Sequence, residues 1–315
     1  MIFVDLKGRI GNQLFVYAAA ESLRRRRNRN EKIIFFDKDI IERQWYNALE
    51  DYNLENVEFV HDKKYIPFIS RIQSYLTYRF YRLCSKKKRW ERYDFEKKYQ
   101  NVINRIGIIA CYNGVIGTPR LWNGPIYMQG YFQSERYFKD IATIIREKIA
   151  SASKDLEKKD YVNEICKRET ICISIKVEHN AGDAQYDVCS RDYYNKAIEK
   201  MLTKVANPLF FICSDNVQYV LDNYIDASKY DYVCQEKGLS VIDSLNIMGM
   251  CKYFIIGNTT FGWWAQYLSA YPQKVVIAPK PWTRIDDSDY IYCDGWETID
   301  VSDYIVNTQK TLGDA

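Results

Sequence analysis

Histidine is nearly absent from this chain: His61 and His179 are the only two in 315 residues, so a metal centre built on imidazole ligands is not expected. The nine cysteines, Cys84, Cys111, Cys166, Cys172, Cys189, Cys213, Cys234, Cys251 and Cys293, contain no C-x-x-C pair. Their number is odd, and several, Cys172 and Cys213 among them, sit inside apolar runs. They read as reduced core residues, which favours the cytoplasm over an oxidising compartment. No apolar run approaches the ~20 residues of a transmembrane helix, and no charged-then-apolar leader opens the chain. Neither membrane spanning nor export by a signal peptide is expected. A large excess of one charge is missing as well: the net +4 is too small to imply a nucleic-acid partner.

What is present is enough chain for two domains of about 150 residues each. Hydrophobic residues make up 47% and charged residues 27%, a balance that supports two buried cores. Aromatic residues reach 15%, with 27 tyrosines, and such side chains serve both for stacking on sugar faces and for ordinary packing.

Residues 1–6 are short, apolar and β-rich, a buried first strand. Residues 13–26 follow with Leu14, Tyr17, Ala18 and Leu23 at helical spacing. Gly8 and Gly11 therefore fall at a strand-to-helix turn, where missing side chains let a ligand approach the main chain. A helix N-terminus with free N–H groups favours an anion there, and Asn12 and Gln13 add amide donors and acceptors. An ordinary tight turn accounts for the glycines equally well. The whole stretch, Gly8-Arg9-Ile10-Gly11-Asn12-Gln13-Leu14-Phe15-Val16-Tyr17-Ala18, resembles the first motif of the α-1,2-fucosyltransferases of glycosyltransferase family 11. A similar G-R-x-G-N-Q opens the protein O-fucosyltransferases.

Residues 33–37 read as a second buried strand, completing a βαβ opening and predicting a parallel sheet. Between the two, the arginine-rich run 24–29 is expected as a solvated helix end that complements the macrodipole, with an anionic-surface contact as the alternative. Over residues 65–100, Ile66, Phe68, Ile69, Ile72, Tyr75, Leu76, Phe80 and Leu83 recur at helical spacing among arginines and lysines. A helical insert with a solvated basic face fits this pattern, and so does a basic amphipathic helix lying on the inner face of a membrane. Residues 126–138, with Gly130, Tyr131, Gln133, Ser134 and Glu135, resemble a further family motif, G-Y-F/W-Q-S-E-x-Y-F. They predict a strand that breaks at Gly130 and a helix from 137 to 149 with Ser134 as a fair N-cap. A lysine- and glutamate-rich stretch, 154–167, marks the domain boundary, giving units 1–155 and 156–315.

The second unit begins with a strand at 170–177. In the family this strand runs into H-x-R-R-G-D, whose arginines grip the donor diphosphate. Here Lys176, Glu178, His179 and Asp183 stand in that region and the arginine pair is missing. Lysine does not reproduce a bidentate guanidinium, and Glu178 would repel a phosphate. A different nucleotide sugar, a phosphate grip moved to Arg9, Lys176, His179 or Arg191, and a weakened activity all remain open. The match resumes over 187–198, from Asp187 through Arg191, and in the strand 209–216, where Ser214 and Asp215 occupy the family's F-x-x-F-S-D-D. Turn capping explains Asp215 on chemistry alone. At 258–268, Asn258, Thr259, Thr260, Phe261, Trp263 and Trp264 resemble N-S/T-S-F-S-W-W. Paired hydroxyls at a helix N-terminus are placed for a diphosphate or for capping, and the tryptophans are expected in the core. Residues 274–282 are read as the last strand.

The resemblance implies an α/β fold of GT-B type, two Rossmann-like lobes facing a cleft, the first on the acceptor side and the second holding the nucleotide sugar. It implies an inverting, metal-independent α-1,2-fucosyltransferase that extends an O-antigen or capsule from GDP-fucose, with no resident cofactor. The acceptor is a glycan, lipid-linked if the membrane reading of 65–100 holds. The donor-binding set it implies is Gly8, Arg9, Gly11, Asn12, Gln13, Arg191, Ser214, Asp215, Asn258, Thr259, Thr260 and Phe261. The candidate catalytic set is Asp183 and Asp187 as bases with Lys176 and His179 at the phosphate. A different sugar on the same fold is the alternative, and a non-catalytic glycan-binding subunit is the competing class.

Overall fold

The computed structural model describes residues 1–27, 30–88, 91–117, 123–150, 156–178, 183, 185–285 and 289–305. The chain divides into two compact units, Met1–Lys148 and Ile149–Ala315. The boundary expected at 155/156 abuts residues 151–155, which lie outside the described residues.

In the first unit the elements run β1 (Ile2–Asp5), α1 (Ile10–Arg26), β2 (Ile33–Phe36), α2 (Lys38–Glu42), β3 (Val57–Val60), α3 (Phe68–Ser85), α4 (Arg92–Asn104), β4 (Ile108–Cys111), β5 (Ile126–Gly130) and α5 (Ala142–Ala150). The strands form one sheet in the order β3-β2-β1-β5-β4, and every pairing is parallel. β1, β2, β4 and β5 are buried at every position, as the continuous apolar runs of a sheet covered on both faces require.

The second unit contains α6 (Asp160–Lys167), β6 (Thr170–Ile175), α7 (Arg191–Leu202), β7 (Leu209–Ser214), α8 (Val217–Asn223), β8 (Tyr232–Cys234), α9 (Val241–Gly249), β9 (Tyr253–Ile256), α10 (Thr260–Leu268), β10 (Val276–Lys280) and β11 (Glu297–Asp300). Its sheet, again parallel throughout, runs β11-β10-β9-β6-β7-β8. Read from β8, the strands come third, second, first, fourth, fifth and sixth, the doubly wound Rossmann order, which reverses between β6 and β9. Ile171, Ile173 and Ile175 of β6 pack against Ala197, Ile198 and Met201 of α7 in its core. Trp263 and Trp264 are core residues, as expected, with no exposed surface, and the Trp263 indole N–H donates to the Ile291 carbonyl at 2.7 Å. Two Rossmann-like α/β units are therefore present.

Several expectations are corrected. The strand at 274–282 is not the last, because β11 pairs beside it. The helix expected from 137 consists of short 3-10 turns before α5 begins at Ala142. The arginine run is not simply solvated: buried Glu21 accepts from Arg24 at 2.8 Å and Arg25 at 2.7 Å, and Arg27 pairs with Glu31. Asn28 and Arg29 of that run lie outside the described residues. All nine cysteines are free thiols, but Cys166 is exposed rather than in the core. No helix among the described residues is long and apolar enough to cross a membrane.

Candidate functional site

Parallel α/β sheets place ligands at the carboxyl ends of their strands, where the strand order reverses. In the second unit that point lies between Ile175 and Ile256, and Lys176, Gly257, Asn258 and Thr259, just beyond the two strands, line one pocket together with Asp187 and with Tyr194 of α7. As it stands the pocket has space for about one water.

Asp215, directly after β7, holds the β6 exit. Its carboxylate accepts from Lys176 Nζ at 2.7 Å, from the Val177 N–H at 2.8 Å and from the Glu178 N–H at 3.1 Å. Burial would raise this carboxyl, but the ammonium and the two N–H groups outweigh it and hold it below its ordinary 3.8. Ser214 donates to the same carboxylate at 3.3 Å and accepts from the Asn216 N–H. Both residues thus shape the loop that presents Lys176.

Asn258 is buried and committed to the scaffold. Its amide donates to the Tyr186 carbonyl at 2.8 Å and the Trp282 carbonyl at 3.0 Å, while its oxygen accepts from Cys189 at 3.6 Å. Thr259 caps α10, its hydroxyl accepting from the Gly262 N–H at 3.0 Å. Next to it, the main-chain N–H groups of Thr260 and Phe261 and the Thr260 hydroxyl have no partner among the described residues. They are the orphan donors of a helix start, and the half-exposed side chains leave them accessible. Gly257 is glycine because of close approach: an added Cβ would stand 2.7 Å from the Tyr194 hydroxyl.

The two candidate bases part company. Asp187 lines the pocket and accepts from the Tyr304 hydroxyl at 3.1 Å. Burial and that carboxylate push Tyr304 up to about 12, so Tyr304 remains the donor. Asp183 instead closes a turn, its carboxylate accepting from the N–H groups of Gln185 at 2.7 Å and Tyr186 at 2.9 Å. Arg191 opens α7 as an exposed residue and does not line the pocket. His179 lies outside the described residues. Sequence reasoning passed over Tyr186, Tyr304 and Arg284, whose Nε donates to the Asp187 carbonyl at 2.6 Å. Only Gly257 carried a signal, a glycine at a strand-to-helix turn like Gly8.

In the first unit the order reverses between β1 and β5, and two motifs meet there. Gly8 has φ +73°, and an added Cβ would stand 2.4 Å from Asn12 Nδ2. Asn12 Oδ1 accepts from Gln133 Nε2 at 2.7 Å. Gln133 reaches it because β5 ends at Gly130 and buried Phe132 turns the chain at φ +52°, a conformation bulky residues rarely hold. Gln13 is fully buried and wholly structural, donating to the Gly8 and Tyr46 carbonyls and accepting from the Ala48 N–H. Buried Gly11 sits in the first turn of α1 behind exposed Arg9. Beside them is a cluster that no motif pointed to. Asp5, at the end of β1, accepts from the Tyr127 hydroxyl and Lys63 Nζ, each at 2.6 Å, and from the Gln129 amide. Lys63 and Gln129 also line a cavity of about 560 Å³ with Arg71, Ser74, Tyr75 and Tyr78. Among the described residues no group of three or more His, Cys, Asp or Glu side chains is placed to hold a metal.

The model of glycosyl transferase family 11 matches residues 1–300. The chain belongs to that family. It is 24% identical to the alpha-1,2-colitosyltransferase of Escherichia coli, over 90% of this chain and 92% of that one. It is 23% identical to the O-antigen biosynthesis glycosyltransferase WbnK, also of Escherichia coli, over 92% and 98%. Among solved structures, a fucosyltransferase NodZ from Bradyrhizobium aligns with 13% identity and a TM-score of 0.47, covering 84% of this chain and 92% of that one. As a family 11 glycosyltransferase it is a transferase enzyme, and the reading as a silent subunit gives way. Within this family 11 chain, Glu178 and His179 stand where the resemblance places an arginine pair, and Lys176 stands at the motif's first His position.

Proposed function

We propose that this glycosyltransferase takes its sugar from a nucleotide donor whose diphosphate sits on the N-terminus of α10. The observation that carries the reading is the set of unpartnered donors at Thr260 and Phe261, close in the chain to Thr259 and opening beside the pocket that Lys176 lines. Helix-start N–H groups with an ammonium nearby stabilise a departing diphosphate without a metal. Donor binding is assigned to the second unit. The first unit takes the glycan acceptor, for which the 560 Å³ cavity is of ligand size, about 300–1,000 Å³.

In the reaction an acceptor hydroxyl oxygen attacks the anomeric carbon as the bond from that carbon to the diphosphate oxygen breaks. The bonding pair leaves with the phosphate, and the hydroxyl proton passes to a carboxylate. Asp187, which lines the pocket, is assigned as that base, and the configuration inverts. GDP-fucose, an α-1,2 linkage and a lipid-linked O-antigen or capsule glycan are the specific assignments. The names of two relatives, an alpha-1,2 transferase and an O-antigen enzyme, support the linkage and the pathway. One observation favours a second reading of the sugar: a relative named for colitose rather than fucose, together with Glu178 where the family has arginine.

Calorimetric titration of GDP, UDP, dTDP and CMP into the wild type and Thr260→Ala tests this. Micromolar GDP binding that weakens in the variant is expected. Preference for another nucleotide removes GDP-fucose as the donor, and equal affinity in both proteins removes the α10 site.

A further inference from the structure

Helix α3 reverses the usual polarity of an amphipathic helix. Toward the protein it buries Ser70, Gln73, Thr77, Phe80 and Cys84. Among the polar ones, the Gln73 amide donates to the Ile106 carbonyl at 2.7 Å and the Pro125 carbonyl at 2.9 Å, and the Thr77 hydroxyl donates to the Gln73 carbonyl at 2.7 Å, whereas the Ser70 hydroxyl and the Gln73 side-chain oxygen are buried without a partner among the described residues. Of the apolar positions that recur at helical spacing, Phe68 is 70% exposed, Ile69 44%, Ile72 42%, Leu76 39% and Leu83 53%. At 3.6 residues per turn those five share one arc of roughly 100°. Arg79 falls within the arc, Arg71 and Arg82 flank one edge, and exposed Tyr75 and Tyr78 lie on that same edge.

The electrostatics are one-sided. Between Lys63 and Trp90 the chain has no aspartate or glutamate, and exposed Lys86, Lys87 and Lys88 follow α3 directly. An exposed apolar stripe with a single arginine in it calls for a partner. A second copy of this chain meeting the same face would set arginine against arginine. A surface that accepts apolar side chains and also carries negative charge satisfies both halves of the helix.

We propose that α3 is a peripheral membrane-docking face that lies flat on a bilayer containing anionic phospholipid. Phe68, Ile72 and Leu76 enter the boundary of the acyl chains, and the arginines and lysines meet the phosphates. Tyr75 and Tyr78 sit at headgroup depth, where a polar-tipped ring is favoured. This docking stands independently of which sugar the enzyme transfers.

The test is co-sedimentation of the full chain with vesicles of phosphatidylcholine alone and of phosphatidylcholine mixed with phosphatidylglycerol. Wild type is expected to pellet with the mixed vesicles and to come off as salt is raised. The double variant Ile72→Glu/Leu76→Glu, changed at exposed positions only, should bind them about tenfold less or weaker still, with nucleotide affinity unchanged. Failure of the wild type to distinguish the two vesicles, or undiminished binding by the variant, overturns the proposal. So does a wild-type dimer in gel filtration that the variant dissolves, which would make the stripe a contact between copies.

Discussion

Lys176 Nζ and Asp215 Oδ2 stand 2.7 Å apart, and the same carboxylate holds the two N–H groups that follow Lys176 in the chain. One aspartate therefore fixes both the charge and the backbone of the β6 exit. Asp215→Ala frees the ammonium and orphans both N–H groups, at about 1 kcal/mol or more for the loop. Donor affinity is expected to fall about tenfold, while Lys176→Ala, which leaves the N–H tether intact, lowers affinity without loosening the loop. Nucleotide calorimetry combined with hydrogen exchange at 176–178 separates the two.

The pH dependence of this tether has a definite sign. The folded carboxyl lies below its ordinary 3.8, so its stabilisation is fully present above the unfolded value and is lost as pH falls through the folded one. Donor binding should stay flat on this account from about pH 8 to about pH 5 and weaken only in more acidic solution. A midpoint near neutrality in the titration would mean that another group controls the site.

Thr259 and Thr260 have opposite duties. The Thr259 hydroxyl accepts from the Gly262 N–H, so Thr259→Ala should cost about 1 kcal/mol, read as a fall in Tm, and Thr259→Ser should restore it. Thr260→Ala should leave Tm where it is and act on donor binding alone. A thermal melt in which both variants behave alike would show that the pair is only a cap.

Much of this was legible in the sequence wherever burial dictates composition. The apolar runs at 1–6, 33–37 and 209–214 became buried parallel strands, and the glycine turn after β1 did fall at a strand-order reversal. Edge elements were not legible: β11 reads Glu-Thr-Ile-Asp and is only half-buried, so it lacks the hydrophobic run that betrays a central strand. Helix α3 left two readings open for a related reason, since periodicity reports that one face is apolar without saying which face the fold covers. Among the candidate site residues, the family motifs picked out Asn12 and Gln13 in the first unit and Asp215 and Asn258 in the second. The motifs could not distinguish contact with a ligand from contact with a loop, because the partners of these residues are carbonyl, N–H and side-chain groups brought in from distant segments.

Gly257 tests how tightly the pocket floor is packed. A methyl there would meet the Tyr194 hydroxyl at 2.7 Å and the Ser174 carbonyl at 3.4 Å, and Tyr194 is buried. Gly257→Ala should destabilise the chain by about 1–3 kcal/mol. Adding Tyr194→Phe removes the nearer atom, so the double variant should recover a good part of that loss, with a coupling of about 1 kcal/mol in a double-mutant cycle. Strict additivity in urea unfolding would place the strain elsewhere.

Glu96 gives the first unit its own pH response. This fully buried carboxylate accepts from the N–H groups of Tyr112 and Asn113, each at 3.1 Å, and from the Asn113 amide at 2.7 Å. Burial nevertheless dominates those hydrogen bonds and lifts its pKa from 4.5 to about 7. Between those values the folded chain holds a proton that the unfolded chain has released. Its stability contribution is therefore complete below 4.5 and is lost as pH rises through 7. Glu96→Gln stays neutral throughout, and its oxygen can still accept from the two N–H groups if the Asn113 amide turns over. The variant should melt at a higher temperature than wild type at about pH 8, by the equivalent of about 1–3 kcal/mol, and show little difference near pH 4. Thermal unfolding across that range decides it, since two parallel curves would mean that Glu96 titrates as an ordinary carboxylate.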